Sequence, residues 1–151
     1  MESFAIWSGE ENVSRKLQQL ADPKVTRRIA RKAARKGMNK VRDAARQNAQ
    51  LIDDPETRAN IAKNIKVAAG KTGNRDLIKM RVGVDGGASF AAALKLTSGG
   101  DTRHWRFVEF GTAFVPAIPF MRIAFFSKMD DVIETFAQVF SDELDKELAT
   151  L

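Results

Sequence analysis

The sequence predicts an α+β domain in which a small antiparallel sheet is packed by a long basic helix and a long acidic C-terminal helix. Three observations lead to this class. Apolar residues recur at helical spacing over residues 25–49 and again over residues 121–148. Residues 64–69 and 77–84 read instead as two strands. The chain of 151 residues shows no internal repeat and no linker, so we expect one domain spanning residues 1–151.

Composition narrows the classes of protein. No apolar run reaches the roughly 18–20 residues that span a bilayer, so we expect no membrane partner. The N-terminus lacks the basic start and apolar stretch of a signal peptide. Cysteine is absent, which leaves no disulfide framework, thiol nucleophile or thiolate metal site and fits a reducing cytoplasm.

The first half of the chain is predicted to be mainly helical. Residues 2–8 are expected to form a short strand and residues 10–21 a short helix. Asp22 then supplies a side-chain cap, and Pro23 fits the first position of a long helix. Gly37 weakens its middle slightly, whereas its many alanines permit a close approach to a neighbouring helix. Its predicted apolar face is Val25, Ile29, Ala33, Met38, Val41, Ala45 and Ala49.

The second half is predicted to contain the sheet and the last helix. A turn segment, GKTGNRD, joins the first two strands and favours an antiparallel hairpin. Residues 85–101 read as a long loop, and HWRFVEFG at residues 104–111 as a third strand that Pro116 and Pro119 end. A final helix is expected from Phe120. Its predicted apolar stripe is Met121, Phe125, Met129, Val132, Ile133, Phe136, Phe140, Leu144 and Leu148.

Charge is distributed unevenly along the chain. The formal net charge is +6, yet residues 24–46 are strongly basic and residues 130–147 strongly acidic. The basic face has two interpretations: a face that is solvated or paired with the acidic helix of the same or a neighbouring chain, or a surface that contacts nucleic acid. No aromatic residue interleaves with it, so a stacking platform is not indicated. The candidate residues are Arg27, Arg28, Arg31, Lys32, Arg35 and Lys36.

The sequence contains little evidence of a catalytic, cofactor-binding or metal-binding motif. GKT at residues 70–72 fails the phosphate-loop pattern, because Ile65 stands where that loop needs glycine. GVDGG at residues 83–87 is better explained as a turn. His104 is the only histidine and has no visible partner for general-base chemistry. Asp53 and Asp54 precede Pro55 and are interpreted as turn and cap residues. We therefore predict no catalytic, cofactor or metal site.

The least ordinary segment is RFVEFGTAFVPAIPF, residues 106–120. It fits a core, a substrate pocket or an interface, and the lack of catalytic partners makes the pocket the weakest. We predict that residues 106–110 are sheet core, and that residues 111–120 form a proline-braced turn that contacts a neighbouring subunit. Glu109 is either a surface carboxylate on a strand or anchored by Arg103, Arg106 or Arg122.

WRFVEFGT followed by VPAIPFMRIAF resembles the signature of a phage family: the head-tail joining, or tail-completion, proteins of lambda-like long-tailed phages. Ile118 and Ile123 depart from the family pattern, which has Arg or Lys and Pro there. The basic helix, residues 53–67, residues 81–87 and the acidic helix also agree in layout. The signature falls on Trp105, Arg106, Phe107, Val108, Glu109, Phe110, Gly111, Thr112, Pro116, Ala117, Pro119, Phe120, Met121, Arg122 and Ala124.

The resemblance implies a virion protein that is not an enzyme and carries no cofactor. It would assemble with copies of itself into a ring, expected to be six-fold, at the head-tail junction, completing the tail tube and joining it to the DNA-filled head. Its other expected partners are neighbouring neck and tail-tube proteins and DNA passing through the lumen. It would reside in the virion, and in the host cytoplasm during assembly. The alternative is a DNA-binding protein that uses the basic helix, residues 24–46.

Overall fold

The computed structural model of the protein describes residues 18, 21–53, 55–56, 59–85 and 99–150. Within these ranges the order of elements is α1 (Pro23–Gln50), α2 (Ile61–Asn64), β1 (Ile65–Ala69), β2 (Met80–Val84), α3 (Trp105–Phe110) and α4 (Phe120–Ala149). This confirms the predicted α+β class. The strand at residues 2–8, nearly all of the helix at residues 10–21 and most of the loop at residues 85–101 lie outside the described residues.

The long helix α1 begins where its sequence predicts. The Asp22 carboxylate accepts a hydrogen bond from the Lys24 amide at 2.9 Å, and Pro23 occupies the start of the helix. The buried face includes four of its alanines together with Gly37. Val25 and Met38 of the predicted stripe are only half-buried. The cap and the apolar face are thus confirmed.

Helices α1 and α4 pack antiparallel along most of their length. Near one end, the Asn48 side-chain amide donates to the Phe120 carbonyl at 3.2 Å. In the middle, a Cβ at Gly37 would lie 2.9 Å from the Val132 carbonyl oxygen, so glycine permits close contact here. Near the other end, Arg28 pairs with an acidic residue of α4, Glu147. Gly37, which looks unfavourable for an isolated helix, is therefore a packing residue.

The predicted hairpin is present. β1 and β2 are antiparallel, with Ile65 opposite Val84 and Val67 opposite Val82. A two-stranded sheet is marginal alone, so it needs a helix against it. The Arg46 guanidinium of α1 supplies one link by donating to the Ile65 carbonyl at 2.7 and 3.1 Å.

The predicted third strand is wrong: residues 105–110 form helix α3. Aromatic and β-branched side chains favour strands locally, but this preference gives way to packing. Burial follows the helical spacing i, i+3, i+4: Trp105 and Val108 are half-buried and Glu109 is buried. Phe107 and Phe110 are exposed, so residues 106–110 are not sheet core.

The last helix starts at Phe120 as predicted and continues to Ala149. Its apolar stripe is only partly correct. Seven of its nine members are half-buried, whereas Phe125 and Ile133 are exposed. The fully buried residues of the helix, Phe120 and Ala124, lie outside the predicted stripe. The predicted stripe includes too many residues. The face of α4 that contacts α1 is narrower than the part of the helix surface that carries apolar side chains. No helix within the described residues has the length and apolar character needed to cross a membrane.

Candidate assembly surface

Glu109 organises the segment of residues 105–125, which resembles the phage signature. Its side chain is 1 % exposed. Its carboxylate accepts hydrogen bonds from the Met121 and Arg122 amides at 2.9 Å each, and from Arg122 Nε at 3.2 Å. Because those amides belong to the first turn of α4, Glu109 caps that helix from another element. Arg122 Nη2 also donates to the Glu109 carbonyl at 2.9 Å, so the two helices are joined twice.

Of the three arginines predicted to anchor Glu109, the structure shows contact with Arg122. Arg103 instead forms a two-point ion pair with Asp101, and its hydrogen bonds hold the pKa of Asp101 below the usual range. The Arg106 guanidinium lies 5.7 Å from the centre of the Trp105 ring. The interpretation of Glu109 as an anchored carboxylate is confirmed, and that of a surface carboxylate on a strand is wrong.

Residues 111–119 form the predicted proline-braced turn. Gly111 has φ of 73°, and a Cβ there would lie 2.7 Å from the Ala117 amide nitrogen. Glycine is therefore required on both counts. The Thr112 hydroxyl accepts from the Phe114 and Val115 amides at 3.2 and 3.0 Å, which closes the turn.

The turn is also fixed to its neighbouring helices. The Ile118 amide donates to the Val108 carbonyl of α3 at 2.7 Å. Pro116 is exposed, Pro119 is half-buried, and Phe120 inserts into the core as α4 begins. This connection orients the exposed side chains of α3, the turn and α4 relative to one another.

Exposed apolar side chains are concentrated on this segment. Within the described residues, the large hydrophobic residues exposed elsewhere are Leu51, Leu77 and Ile133. Phe114 is 95 % exposed and Phe126 is 74 % exposed. We define the assembly surface as the exposed residues Phe107, Phe110, Phe114, Val115, Ile118, Ile123, Phe125 and Phe126.

Arg122 borders this surface as well as binding Glu109. Its guanidinium lies 5.3 Å from the centre of the Phe110 ring. Together with Ile123 and Phe126 it lines a shallow hollow of about 600 Å³. The hollow is mainly apolar with a cation at its edge, a composition that is found at protein contacts.

The predicted basic face divides into parts with different contacts. Arg28 and Lys32 pair with Glu147 and Glu143 of α4 at 2.9 and 2.8 Å. This confirms the interpretation of pairing with the acidic helix for those two residues, within one chain. Arg35 and Lys36 are exposed. Arg27 and Arg31 instead lie on the side of α1 that faces the hairpin turn.

Acid is expected to weaken the contact between α1 and α4. Hydrogen bonds from Lys32 and then from Lys146 hold the pKa of Glu143 below its ordinary value. The contribution of this carboxylate to stability is therefore complete above the ordinary glutamate pKa of about 4.3 and is lost as the pH falls below it. Melting temperatures measured between about pH 7 and pH 3 should fall less steeply for Glu143→Gln than for the parent.

The matched control for this measurement is Glu134→Gln. It removes the same charge from an exposed position of α4. An equal flattening of the pH dependence in both variants would contradict the prediction, because the effect would then come from net charge and not from the Lys32 contact.

The sequence does not predict the buried polar cluster around Asn64. The Asn64 side chain accepts from the Gly99 amide at 2.9 Å and donates to the Gly100 carbonyl at 3.0 Å and to the Thr102 hydroxyl at 2.9 Å. Local pattern does not reveal it, because 35 positions separate Asn64 from Gly99. The cluster is structural, because its hydrogen bonds connect Gly99, Gly100 and Thr102 to Asn64, the residue that directly precedes β1.

The residues considered for chemistry serve as structural groups or lie in solvent. The Asp53 carboxylate accepts from the Ile61 and Ala62 amides at 3.0 and 3.3 Å, which confirms its role as a cap. Asp54 lies outside the described residues. His104 is exposed. In the described part of the chain, no group of three His, Cys, Asp or Glu side chains is placed to hold a metal ion.

Comparison with known proteins identifies one family. Residues 11–111, more than half of the chain, match the HK97-gp10-like model, described as "Bacteriophage HK97-gp10, putative tail-component". The match covers α1, the hairpin and α3 and ends at Gly111, so it precedes the proline turn and α4. The searches of curated proteins and of solved structures returned no match.

Proposed function

The chain belongs to the HK97-gp10-like family of bacteriophage tail components, and from this we propose that it is a structural protein of the phage neck. In this proposal copies of the chain form a ring at the head-tail junction. The ring completes the tail tube and joins it to the DNA-filled head, in contact with neck and tail-tube proteins. It acts in the virion, assembles in the host cytoplasm and performs no catalysis.

The observation that carries the proposal is the assembly surface. Large apolar patches on soluble proteins usually meet a partner, because isolated chains gain nothing from exposing them to water. Here eight large apolar side chains between Phe107 and Phe126 remain exposed, whereas Gly111 and Glu109 hold their supporting backbone in place. A fixed patch of this kind lowers the entropic cost of association.

Charge favours a second copy of the chain as the partner. Arg106 and Arg122 border the assembly surface, and the exposed side of α4 carries carboxylates further along the helix. A contact between two different surfaces of identical chains forms a ring when the rotation closes. Opposite charges beside the apolar patch would then select the orientation of neighbours. The exposed carboxylates are Asp130, Asp131, Glu134, Asp142 and Asp145.

The double variant Phe114→Ser and Phe126→Ser is expected to abolish assembly without unfolding the protein. Apolar anchors at interfaces contribute about 2 kcal/mol each, or roughly 30-fold in the dissociation constant. Surface substitutions change stability by only about 0.5 kcal/mol, so the far-ultraviolet circular dichroism and melting temperature should be retained. Native mass spectrometry and sedimentation with purified tail tubes measure assembly.

The matched control is Leu51→Ser, which removes an 86 % exposed apolar side chain at the end of α1, away from the assembly surface. It should assemble like the parent. A parent protein that stays monomeric and binds neither tail tubes nor filled heads would overturn the proposed function. A double variant that assembles normally would show that the ring uses another surface.

A further inference from the structure

A cationic cleft lies between the first half of α1 and the turn that joins β1 to β2. Its volume is about 400 Å³. The turn contains the GKT residues whose spacing fails the phosphate-loop pattern. Any affinity for phosphate in this cleft therefore has a different structural basis. The polar and charged residues that matter here are Arg27, Arg31, Lys71, Thr72, Arg75 and Lys79.

A side-chain contact to a main-chain carbonyl joins the two walls of the cleft, and a main-chain contact shapes the turn itself. The Arg27 guanidinium donates to the Arg75 carbonyl, which fastens the hairpin turn to the helix. The Gly70 amide donates to the Lys79 carbonyl at 2.7 Å, and a Cβ at Gly70 would lie 2.8 Å from the Lys79 side-chain carbons. The Lys79 stem therefore packs directly over Gly70. This arrangement positions the cations before a ligand arrives.

Charge in this cleft is not compensated as it is on the other side of α1. There Arg28 and Lys32 each have a carboxylate partner on α4. Among the described residues that line the cleft, five are cations and none is a carboxylate. Gathering like charges opposes folding through mutual repulsion. Such a cluster is therefore better explained by an external anion than by the stability of the fold.

The number of cations indicates a polyanion. A single phosphate group carries at most about two negative charges at neutral pH, whereas the cleft presents five positive ones. Duplex DNA carries one charge per about 1.7 Å of axis, or about 13 over the length of 22 Å or so from Asp130 to Asp145. Helix α4 exposes only five carboxylates over that length. DNA therefore offers the five cations of the cleft a denser line of negative charge than the acidic helix of another copy does.

We propose that this cleft binds the phosphate backbone of duplex DNA. The guanidinium groups of Arg27 and Arg31 contact phosphate oxygens from one wall, and the ammonium groups of Lys71 and Lys79 contact them from the other. No base is read, so the affinity is independent of sequence. The site differs from a basic helix acting alone, because three of its five cations come from the hairpin turn. It does not depend on the proposed ring.

The test is binding of a fluorescent duplex of about 20 base pairs to the full-length chain, measured by anisotropy from about 50 to 200 mM salt. The variant Arg31→Gln, Lys71→Gln, Lys79→Gln leaves the Arg27 contact to the turn in place. It should lower affinity at least about tenfold and reduce the slope of log affinity against log salt by about 2–3, since three phosphate contacts are lost.

The matched control removes the same charge from exposed positions outside the cleft: Lys24→Gln, Arg35→Gln, Lys36→Gln. It should retain most of the affinity. Equal losses in both triple variants, or no DNA binding by the parent, would overturn the proposal.

Two further measurements separate other occupants. If millimolar inorganic phosphate competes fully with DNA at constant ionic strength, the cleft is a site for free phosphate and the DNA assignment is wrong. If the cleft variant loses self-association, measured by sedimentation without DNA, while DNA binding is unchanged, the occupant is a second copy. The DNA affinity of the Phe114→Ser, Phe126→Ser variant shows whether the cleft functions when the ring does not form.

Discussion

Glu109→Ala is expected to lower the free energy of unfolding by about 2–4 kcal/mol, because a buried carboxylate that accepts three hydrogen bonds is removed. Two amides of the first turn of α4 lose their acceptor, and Arg122 loses its ion pair. For a chain of this size the loss corresponds to a fall of roughly 5–15 °C in melting temperature. Glu109→Gln retains one acceptor and should fall between the variant and the parent.

The control is Glu134→Ala, which removes an exposed carboxylate from α4 and should change the melting temperature by less than about 2 °C. Hydrogen exchange supplies a second measurement. The Met121 and Arg122 amides should exchange faster in Glu109→Ala, while amides in the middle of α1 are affected only through global unfolding. Unchanged exchange at both amides, or a stability equal to that of the control, would show that Glu109 does not cap α4.

The Glu109 contacts also connect stability to the proposed assembly. They hold α3 against the start of α4, which places Phe110 beside Arg122 and fixes the side chains of the assembly surface. The milder variant, Glu109→Gln, should therefore weaken assembly although the protein remains folded. This explains in physical terms why a carboxylate lies in the middle of an aromatic run: it organises the surface and does not itself bind a partner.

Local sequence signals predicted the elements that local interactions determine. Asp22 and Pro23 start α1 through contacts within one turn, and the alternation around Val82 specifies a strand whose partner is close in sequence. The start of α4 after Pro119 follows from the same kind of local constraint. The packing role of Gly37 was not predicted, because it depends on Val132, which lies in another helix.

The errors lie where distant contacts overrule local preference. Residues 105–110 have the composition of a strand, yet they form a helix in which Glu109 accepts hydrogen bonds from amides twelve and thirteen positions later. Trp105, Val108 and Glu109 have the spacing i, i+3 and i+4 of one helix face. This spacing could have predicted the helix from the sequence. The prediction that Phe107 and Phe110 are core residues was wrong for the same reason, since it assumed the side-chain directions of a strand.

Asn64→Ala is expected to lower the free energy of unfolding by about 2–4 kcal/mol, because Asn64 is fully buried and makes three hydrogen bonds, to Gly99, Gly100 and Thr102. Alanine removes the hydrogen bonds that Asn64 makes to the Gly99 amide and the Gly100 carbonyl, and opens a small polar cavity. Thr102 retains its hydrogen bond to the Asp85 carbonyl at 3.2 Å, so the cluster is weakened and not removed.

The exposed Gln47 of α1 offers a control that truncates a side chain of comparable size, and Gln47→Ala should be nearly neutral. Chemical denaturation distinguishes the variants through their midpoints. A third variant, Gly99→Ala, tests the same cluster from the other side, since its Cβ would collide with the Asn60 carbonyl oxygen. We expect the Asn64 and Gly99 effects to be non-additive, because both variants disturb the same hydrogen bond, from the Gly99 amide to the Asn64 side chain. Additive losses would show that the two residues stabilise the fold independently and that the cluster does not act as one unit.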